Sequence, residues 1–228
     1  MIQMQDVHKK YPNGVTAVSG IDVKIDQGEF VYIVGPSGAG KSTFIKMIYR
    51  EEKPSKGVIL INGVDISRLK DKKVPLLRRN IGVVFQDFKL LPTLTVFENV
   101  AFALEVIEEQ PNLIKKKVME TLDLVGLKHK ARMLPTELSG GEQQRVSIAR
   151  SIVNSPKIVI ADEPTGNLDP ETSWEIMSIF EEINARGATV VMATHNKEIV
   201  NTIKHRVIAI ESGRIVRDEQ RGEYGYES

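Results

Sequence analysis

The 228-residue chain contains no cysteine. That excludes disulfides, thiolate nucleophiles and cysteine-held zinc or iron–sulfur centres, and it fits a reducing compartment. Net charge is nearly absent as well, with 31 Lys and Arg against 30 Asp and Glu for a formal +1. Neutralising nucleic-acid phosphates is therefore not its main business, and no nucleic-acid partner is expected. No apolar run approaches the ~18–20 residues of a membrane span, and Met1-Ile2-Gln3-Met4-Gln5-Asp6 lacks a basic segment followed by an apolar one. The expectation is a chain neither exported nor membrane-spanning, yet able to dock on a membrane partner. Repeats, low-complexity tracts and long linkers are missing too. What remains is ordinary globular chemistry, 41% apolar with 17 Gly and 10 Pro. The length suits one large domain or two merged subdomains, since cores split beyond ~250–300 residues.

Five short β-branched runs read as strands buried on both faces: Phe30–Val34, Ile81–Phe85, Ile158–Ala161, Thr189–Ala193 and Val207–Ile210. Between them Ser42–Arg50, Glu142–Asn154 and Pro170–Ala185 have helical spacing, so the alternation predicts an α/β fold with a mainly parallel sheet. Two regions depart from that pattern. Ile2–Ile25 and Gly57–Asn62 alternate with period two around the turn Pro12-Asn13-Gly14, which predicts a small antiparallel sheet. Residues 87–156 hold no strong strand run, and Ile114, Val118, Leu122 and Val125 repeat at helical spacing before Gly126, which predicts an inserted helical subdomain. Lys115-Lys116-Lys117 reads as a solvated face of that helix, because acidic residues flank it and no aromatics interleave.

After the first buried strand comes Gly35-Pro36-Ser37-Gly38-Ala39-Gly40-Lys41-Ser42, a phosphate loop between strand and helix, followed by Thr43. Small residues let backbone N–H groups turn inward around phosphate oxygens, and the next helix adds its positive end. Lys41 would reach the β- and γ-phosphates, and the Ser42 hydroxyl would ligate Mg²⁺. Chance alone gives such a pattern in roughly one chain of this length per hundred at ordinary composition, and the preceding strand lowers that further. Ile158–Ala161 delivers Asp162 and Glu163 at its C-terminal end, where ligands of open α/β sheets gather. Asp162 would support Mg²⁺, while Glu163 would take a proton from the attacking water. Gln86 and His195 follow two further strands, and their convergence on one loop predicts a γ-phosphate sensor, with Gln86 towards Mg²⁺ and water and His195 towards phosphate.

Leu138-Ser139-Gly140-Gly141-Glu142-Gln143-Gln144-Arg145 is physically a second anion nest, a hydroxyl and bare N–H groups at a helix start. With the phosphate loop, Gln86, Asp162-Glu163, Asn167-Leu168-Asp169 and His195 in this order, the chain resembles the ATP-binding cassette (ABC) ATPases over essentially its whole length. The resemblance implies a P-loop NTPase with residues 1–86 and 157–228 as the ATP-binding core and its β-subdomain, and 87–156 as the helical subdomain. It implies ATP and Mg²⁺ as cofactors, Tyr11 stacked on adenine, and Ser139, Gly140 and Gly141 serving the ATP of an opposing copy in a homodimer with Asp169 at the seam.

Val74-Pro75-Leu76-Leu77-Arg78-Arg79, Gln86 to Pro92, Ser173 to Met177, Lys204 to Ile210 and Gly222 to Tyr226 resemble the bacterial cell-division branch of that family. That branch implies an FtsX-like polytopic membrane partner, regulation of peptidoglycan hydrolases, and a cytoplasmic place on the inner face of the membrane. The expected docking surface lies around Phe88, Leu90, Leu91, Thr95, Val96 and Phe97, where Leu90-Leu91-Pro92 interrupts helical periodicity. Lipoprotein-release and macrolide-efflux ATPases share the Leu-Leu-Pro and Gly-Asn-Leu-Asp-Pro stretches, and a nucleotide-gated adaptor with incidental hydrolysis is the other alternative.

Overall fold

A computed structural model describes residues 1–225; Tyr226, part of the C-terminal resemblance, lies outside the described residues together with 227–228. In chain order the elements are β1 (Ile2–Lys10), β2 (Thr16–Ile25), β3 (Phe30–Val34), α1 (Lys41–Ile48), β4 (Lys56–Ile61), β5 (Val64–Asp65), α2 (Val74–Arg78), β6 (Ile81–Val84), α3 (Val96–Glu105) and α4 (Pro111–Leu124). They continue as α5 (Gly140–Ile152), β7 (Ile158–Asp162), α6 (Pro170–Ala185), β8 (Thr189–Ala193), α7 (Lys197–Thr202), β9 (Arg206–Glu211) and β10 (Arg214–Glu219).

Two sheets result. The smaller is antiparallel in the order β2-β1-β4-β5, and the larger runs β10-β9-β3-β8-β7-β6. In the larger sheet β9, β3, β8, β7 and β6 are parallel, and β10 closes one edge antiparallel to β9. Strand side chains alternate between faces, and here the alternation divides each central strand between two cores. Val31 and Ile33 of β3, with Ile158, Ile160, Val191, Ala193, Ile208 and Ile210, pack against α1 and the antiparallel sheet. Phe30, Tyr32 and Val34, with Val159, Ala161, Val190, Met192, Val207 and Ala209, face the helices of the opposite layer. Such strands have no solvent face, which is why they read as unbroken apolar runs.

The α/β class with a parallel main sheet and an attached antiparallel sheet matches the expectation; several boundaries do not. The helix expected over Ser42–Arg50 ends at Ile48, because Arg50 turns to φ +62°. Its buried guanidinium then donates to the Ile66 carbonyl at 2.9 Å and the Leu69 carbonyl at 3.1 Å. Helix α3 lies within the helical subdomain expected over residues 87–156, although the spacing singles out only the helix around Ile114–Val125 there. A reciprocal cap starts it, with Thr95 Oγ1 accepting from the Glu98 N–H and Glu98 accepting from the Thr95 N–H. Val96, Val100 and Leu104 then bury one face of it. The edge strand β10 was missed, since its Arg214, Arg217 and Asp218 give it no apolar signal.

Candidate functional site

The order β3-β8-β7-β6 makes four consecutive strands neighbours. Each ends at or near a predicted site residue: β3 runs into Gly35, β8 ends two residues before His195, β7 ends at Asp162 with Glu163 next, and β6 ends two before Gln86. At ~4.8 Å between strands, these ends span about 15 Å along one rim of the sheet.

The loop after β3 can form only with glycine at two points. Gly35 has φ +145°, and a Cβ there would lie 2.0 Å from the Ile210 carbonyl oxygen. Gly40 has φ +107°, and its Cβ would meet the Ala17 carbonyl oxygen at 2.2 Å. The chain is thereby clamped between β9 and β2. Gly40 also caps α1 without a side-chain hydrogen bond, so no side chain competes for the first N–H groups of the helix. Lys41 Nζ folds over the loop and donates to the carbonyls of Gly35 at 2.9 Å and Pro36 at 3.1 Å. Tyr11 stands beside the loop, its hydroxyl 3.2 Å from Thr43 Oγ1 and its ring 4.9 Å from Lys9 Nζ.

Ser42 Oγ donates to Asp162 Oδ1 at 3.4 Å. Burial pushes the Asp162 carboxyl up from its ordinary value, with the Ser42 bond opposing and the Glu163 charge adding to it. Two oxygen donors with little competing hydrogen bonding are chemically suited to a hard divalent cation. Glu163 adopts φ +52°, anchored through its N–H to the Ala193 carbonyl at 3.0 Å. Its Oε2 accepts from the His195 backbone N–H at 3.1 Å and from ring Nδ1 at 2.8 Å. A carboxylate only accepts, so in this bond Nδ1 is the donor. Sequence reasoning placed His195 on the phosphate; the structure pairs it directly with Glu163.

Gln86 Nε2 donates to Asn167 Oδ1 at 3.3 Å, which ties the end of β6 to the loop after Glu163. Ser139 caps α5, accepting from the Glu142 N–H at 3.3 Å while Glu142 Oε2 accepts from the Ser139 N–H at 3.0 Å. Lys130 and that N–H hold the Glu142 carboxyl below the usual carboxylate range. Asp169 caps α6 by accepting from the Thr172 N–H at 3.0 Å, and hydrogen bonds from the Thr172 side chain and N–H lower its carboxyl. The two helix starts meet closely, since a Cβ on Gly141 would lie 2.3 Å from Thr172 Cγ2. Arg145 and Glu175 pair at 2.5 Å one turn further along. Among the described residues, no hydrogen bond or ion pair joins Ser139, Gly140 or Gly141 to residues 35–43.

One residue of the site went unassigned in the sequence. Gln144 is fully buried and donates from Nε2 to the Pro164 carbonyl at 2.7 Å. It ties the helix capped by Ser139 to the residue after Glu163. Its identity inside the Leu138–Arg145 motif was visible, but a buried glutamine on an α-helix carries no periodic signal of its own.

The ABC transporter family profile matches residues 18–166. The chain is 76% identical over 225 residues to the cell division ATP-binding protein FtsE of Bacillus subtilis strain 168, spanning 99% of each chain. It is 53% identical over 226 residues to the protein of that name from Mycobacterium tuberculosis, spanning 99% of this chain and 98% of the other. Among solved structures it resembles the dimeric post-hydrolysis state of the ATP-binding cassette MJ0796 bound to ADP and Pi. The TM-score is 0.87 at 36% identity, covering 98% of this chain and 100% of that one.

Proposed function

The chain belongs to the ABC transporter family of ATPases, and on that premise we propose how it works: ATP closes two copies head to tail, hydrolysis reopens them, and a membrane protein takes up the movement. It is an ATP-hydrolysing enzyme and an FtsE-like subunit. The observation that supports this chemistry is the convergence of Lys41, Asp162, Glu163, Gln86 and His195 on four neighbouring strand ends.

In this reading Tyr11 stacks on adenine, and the backbone N–H groups from Ser37 to Thr43 receive the phosphates. Lys41 exchanges the carbonyls of Gly35 and Pro36 for β- and γ-phosphate oxygens. Ser42, Asp162 and Gln86 would hold Mg²⁺, which would supply positive charge to offset that of the phosphate oxygens. Glu163 takes a proton from water as the water oxygen bonds the γ-phosphorus and the bond to the ADP oxygen breaks. His195 holds the Glu163 carboxylate in place through its N–H and Nδ1.

Among the described residues Ser139, Gly140 and Gly141 make no hydrogen bond to residues 35–43, which leaves them available to the nucleotide of a second copy, as the resemblance to dimeric cassettes supports. A homodimer is the complete enzyme, with Asp169 at the seam.

The further partner is a polytopic, FtsX-like membrane protein, and the chain works on the inner face of the membrane. Among the described residues no helix is long and apolar enough to cross a membrane. Of the expected docking residues, Leu90 and Phe97 pack against the helical core, while Phe88 and Leu91 are half-buried. A groove of about 430 Å³ lies beside them, lined by Pro75, Arg78, Arg79, Phe102, Val106 and Arg150 among others. Phe102 and Val106 are exposed. The docking site is the surface that joins Phe88 and Leu91 to this groove.

Two experiments test the reading. Lys41→Ala should lose ATP binding by calorimetry, and retained affinity refutes the role of Lys41. Glu163→Gln chain recovered from its native membrane should carry a polytopic protein that stimulates the wild-type ATPase. A lipoprotein-extraction or efflux permease instead reassigns the partner, and absence of stimulation favours an adaptor.

A further inference from the structure

The face that carries the proposed groove also displays the most unbalanced charge in the chain. Residues 68–79 hold Arg68, Lys70, Lys72, Lys73, Arg78 and Arg79 against the single acid Asp71. The whole chain has a formal charge of only +1, so the rest of it is net negative. Asp71 is already taken, at 2.9 Å from Lys53 and 3.9 Å from Arg50. Arg68, Lys70, Lys72, Lys73 and Arg79 are exposed, and none of them takes part in an ion pair among the described residues. Lys115-Lys116-Lys117 differs, because Lys117 pairs with Glu109 and Lys116 lies 3.9 Å from Glu120.

The cationic segment is fixed rather than loose. Arg50 donates to the carbonyls of Ile66 and Leu69 at its start. At its end Arg78 donates to the Tyr49 carbonyl at 3.0 Å and the Arg50 carbonyl at 3.3 Å. Val74 and Ile66 are buried beneath it, and Leu76 is left 54% exposed among the cations. A rigid array of unneutralised cations around an exposed apolar side chain has the chemistry of a membrane-surface contact. Pro75, Arg78 and Arg79 also line the groove, so the C-terminal end of the segment forms part of its rim.

We propose that residues 68–79 bind the anionic headgroups of a phospholipid bilayer, laying the groove face of the chain against the membrane through Arg68, Lys70, Lys72, Lys73 and Arg79 with Leu76. The orientation rests on the groove being where a membrane protein docks. An acidic loop of that protein is the weaker match, since cytoplasmic loops of membrane proteins are enriched in Lys and Arg. The net-negative remainder of the chain is repelled by the same surface, which favours one orientation.

The full-length chain tests this without any partner protein, by flotation with phosphatidylcholine vesicles with and without phosphatidylglycerol. Expected is binding only to the anionic vesicles, falling steeply with salt. A Lys70→Gln/Lys72→Gln/Lys73→Gln variant should lose roughly fivefold per cation, ~100-fold in all, while it binds and hydrolyses ATP as wild type does. A Lys115→Gln/Lys116→Gln variant should bind vesicles normally. Equal binding to neutral vesicles, wild-type binding by the triple variant, or equal loss in the control variant overturns the proposal. Absent vesicle binding with salt-sensitive capture of a polyglutamate peptide overturns it in favour of an acidic protein. ATP hydrolysis measured on the same sample separates the outcomes: its loss defeats the proposed function, and lost vesicle binding with intact hydrolysis defeats only the lipid assignment.

Discussion

The pairing of His195 with Glu163 makes a prediction that separates two roles for the histidine. Glu163 Oε2 is held by two donors from one residue, a backbone N–H at 3.1 Å and ring Nδ1 at 2.8 Å. His195→Ala removes the second and keeps the first, so the carboxylate remains but its orientation loosens. A hydrogen bond to a charged group contributes about 1.5–3 kcal/mol, which corresponds to about 10- to 150-fold in kcat. The ring is 63% exposed, so water competes for the bond and the lower end is expected. Glu163→Gln removes the base itself and should cost ~10²–10⁴-fold. If His195 acts through Glu163, the double variant should turn over no more slowly than Glu163→Gln alone, with a coupling as large as the His195→Ala effect. The assay is steady-state phosphate release from ATP by all four proteins at saturating nucleotide. Additive losses refute the reasoning and assign His195 to direct contact with phosphate.

Three further predictions follow from the geometry. Gly40→Ala forces a left-handed residue, at ~1–2 kcal/mol, and drives a Cβ into the Ala17 carbonyl oxygen at 2.2 Å. It should lower the urea midpoint and abolish binding of a fluorescent ATP analogue, and normal values of both contradict the clamp. Gln144→Leu strands the buried Pro164 carbonyl, so unfolding should cost about 1–3 kcal/mol less and kcat should fall with ATP affinity retained; an unchanged kcat contradicts the link between α5 and Glu163. The Glu142 carboxyl is lowered in the folded chain by Lys130 and the Ser139 N–H. Its stabilisation is therefore full above the unfolded value of ~4.3 and is lost as pH falls through the folded value. The stability difference between wild type and Glu142→Gln should shrink in acid, and a difference independent of pH contradicts the assignment.

How much of this was legible in the sequence follows from the period of each signal. Phe30–Val34, Ile158–Ala161 and Thr189–Ala193 are buried on both faces, so their apolar runs announced strands and the residues that follow them announced the site. Within the expected helical region 87–156 the start of α3 was not legible, because the irregular Phe88–Pro92 stretch, with positive φ at Phe88 and Lys89, lies shortly before it and obscures the helical spacing. The bond between His195 and Glu163 was out of reach because it joins residues 32 apart. Sequence order puts each at a strand end but does not say that β7 and β8 are neighbours. The cations at 68–79 are plain in the sequence, and what distinguishes them from Lys116 and Lys117 is that among the described residues Arg68, Lys70, Lys72, Lys73 and Arg79 form no ion pair.

The central claim is that one chain holds only half of each hydrolytic site. Sedimentation of Glu163→Gln across a concentration series with Mg-ATP or Mg-ADP tests it most directly. The account predicts twice the monomer mass with ATP, monomers with ADP, and a wild-type ATPase rate that rises faster than linearly with protein concentration. A variant that stays monomeric in saturating ATP, beside a wild-type rate strictly proportional to concentration, contradicts it.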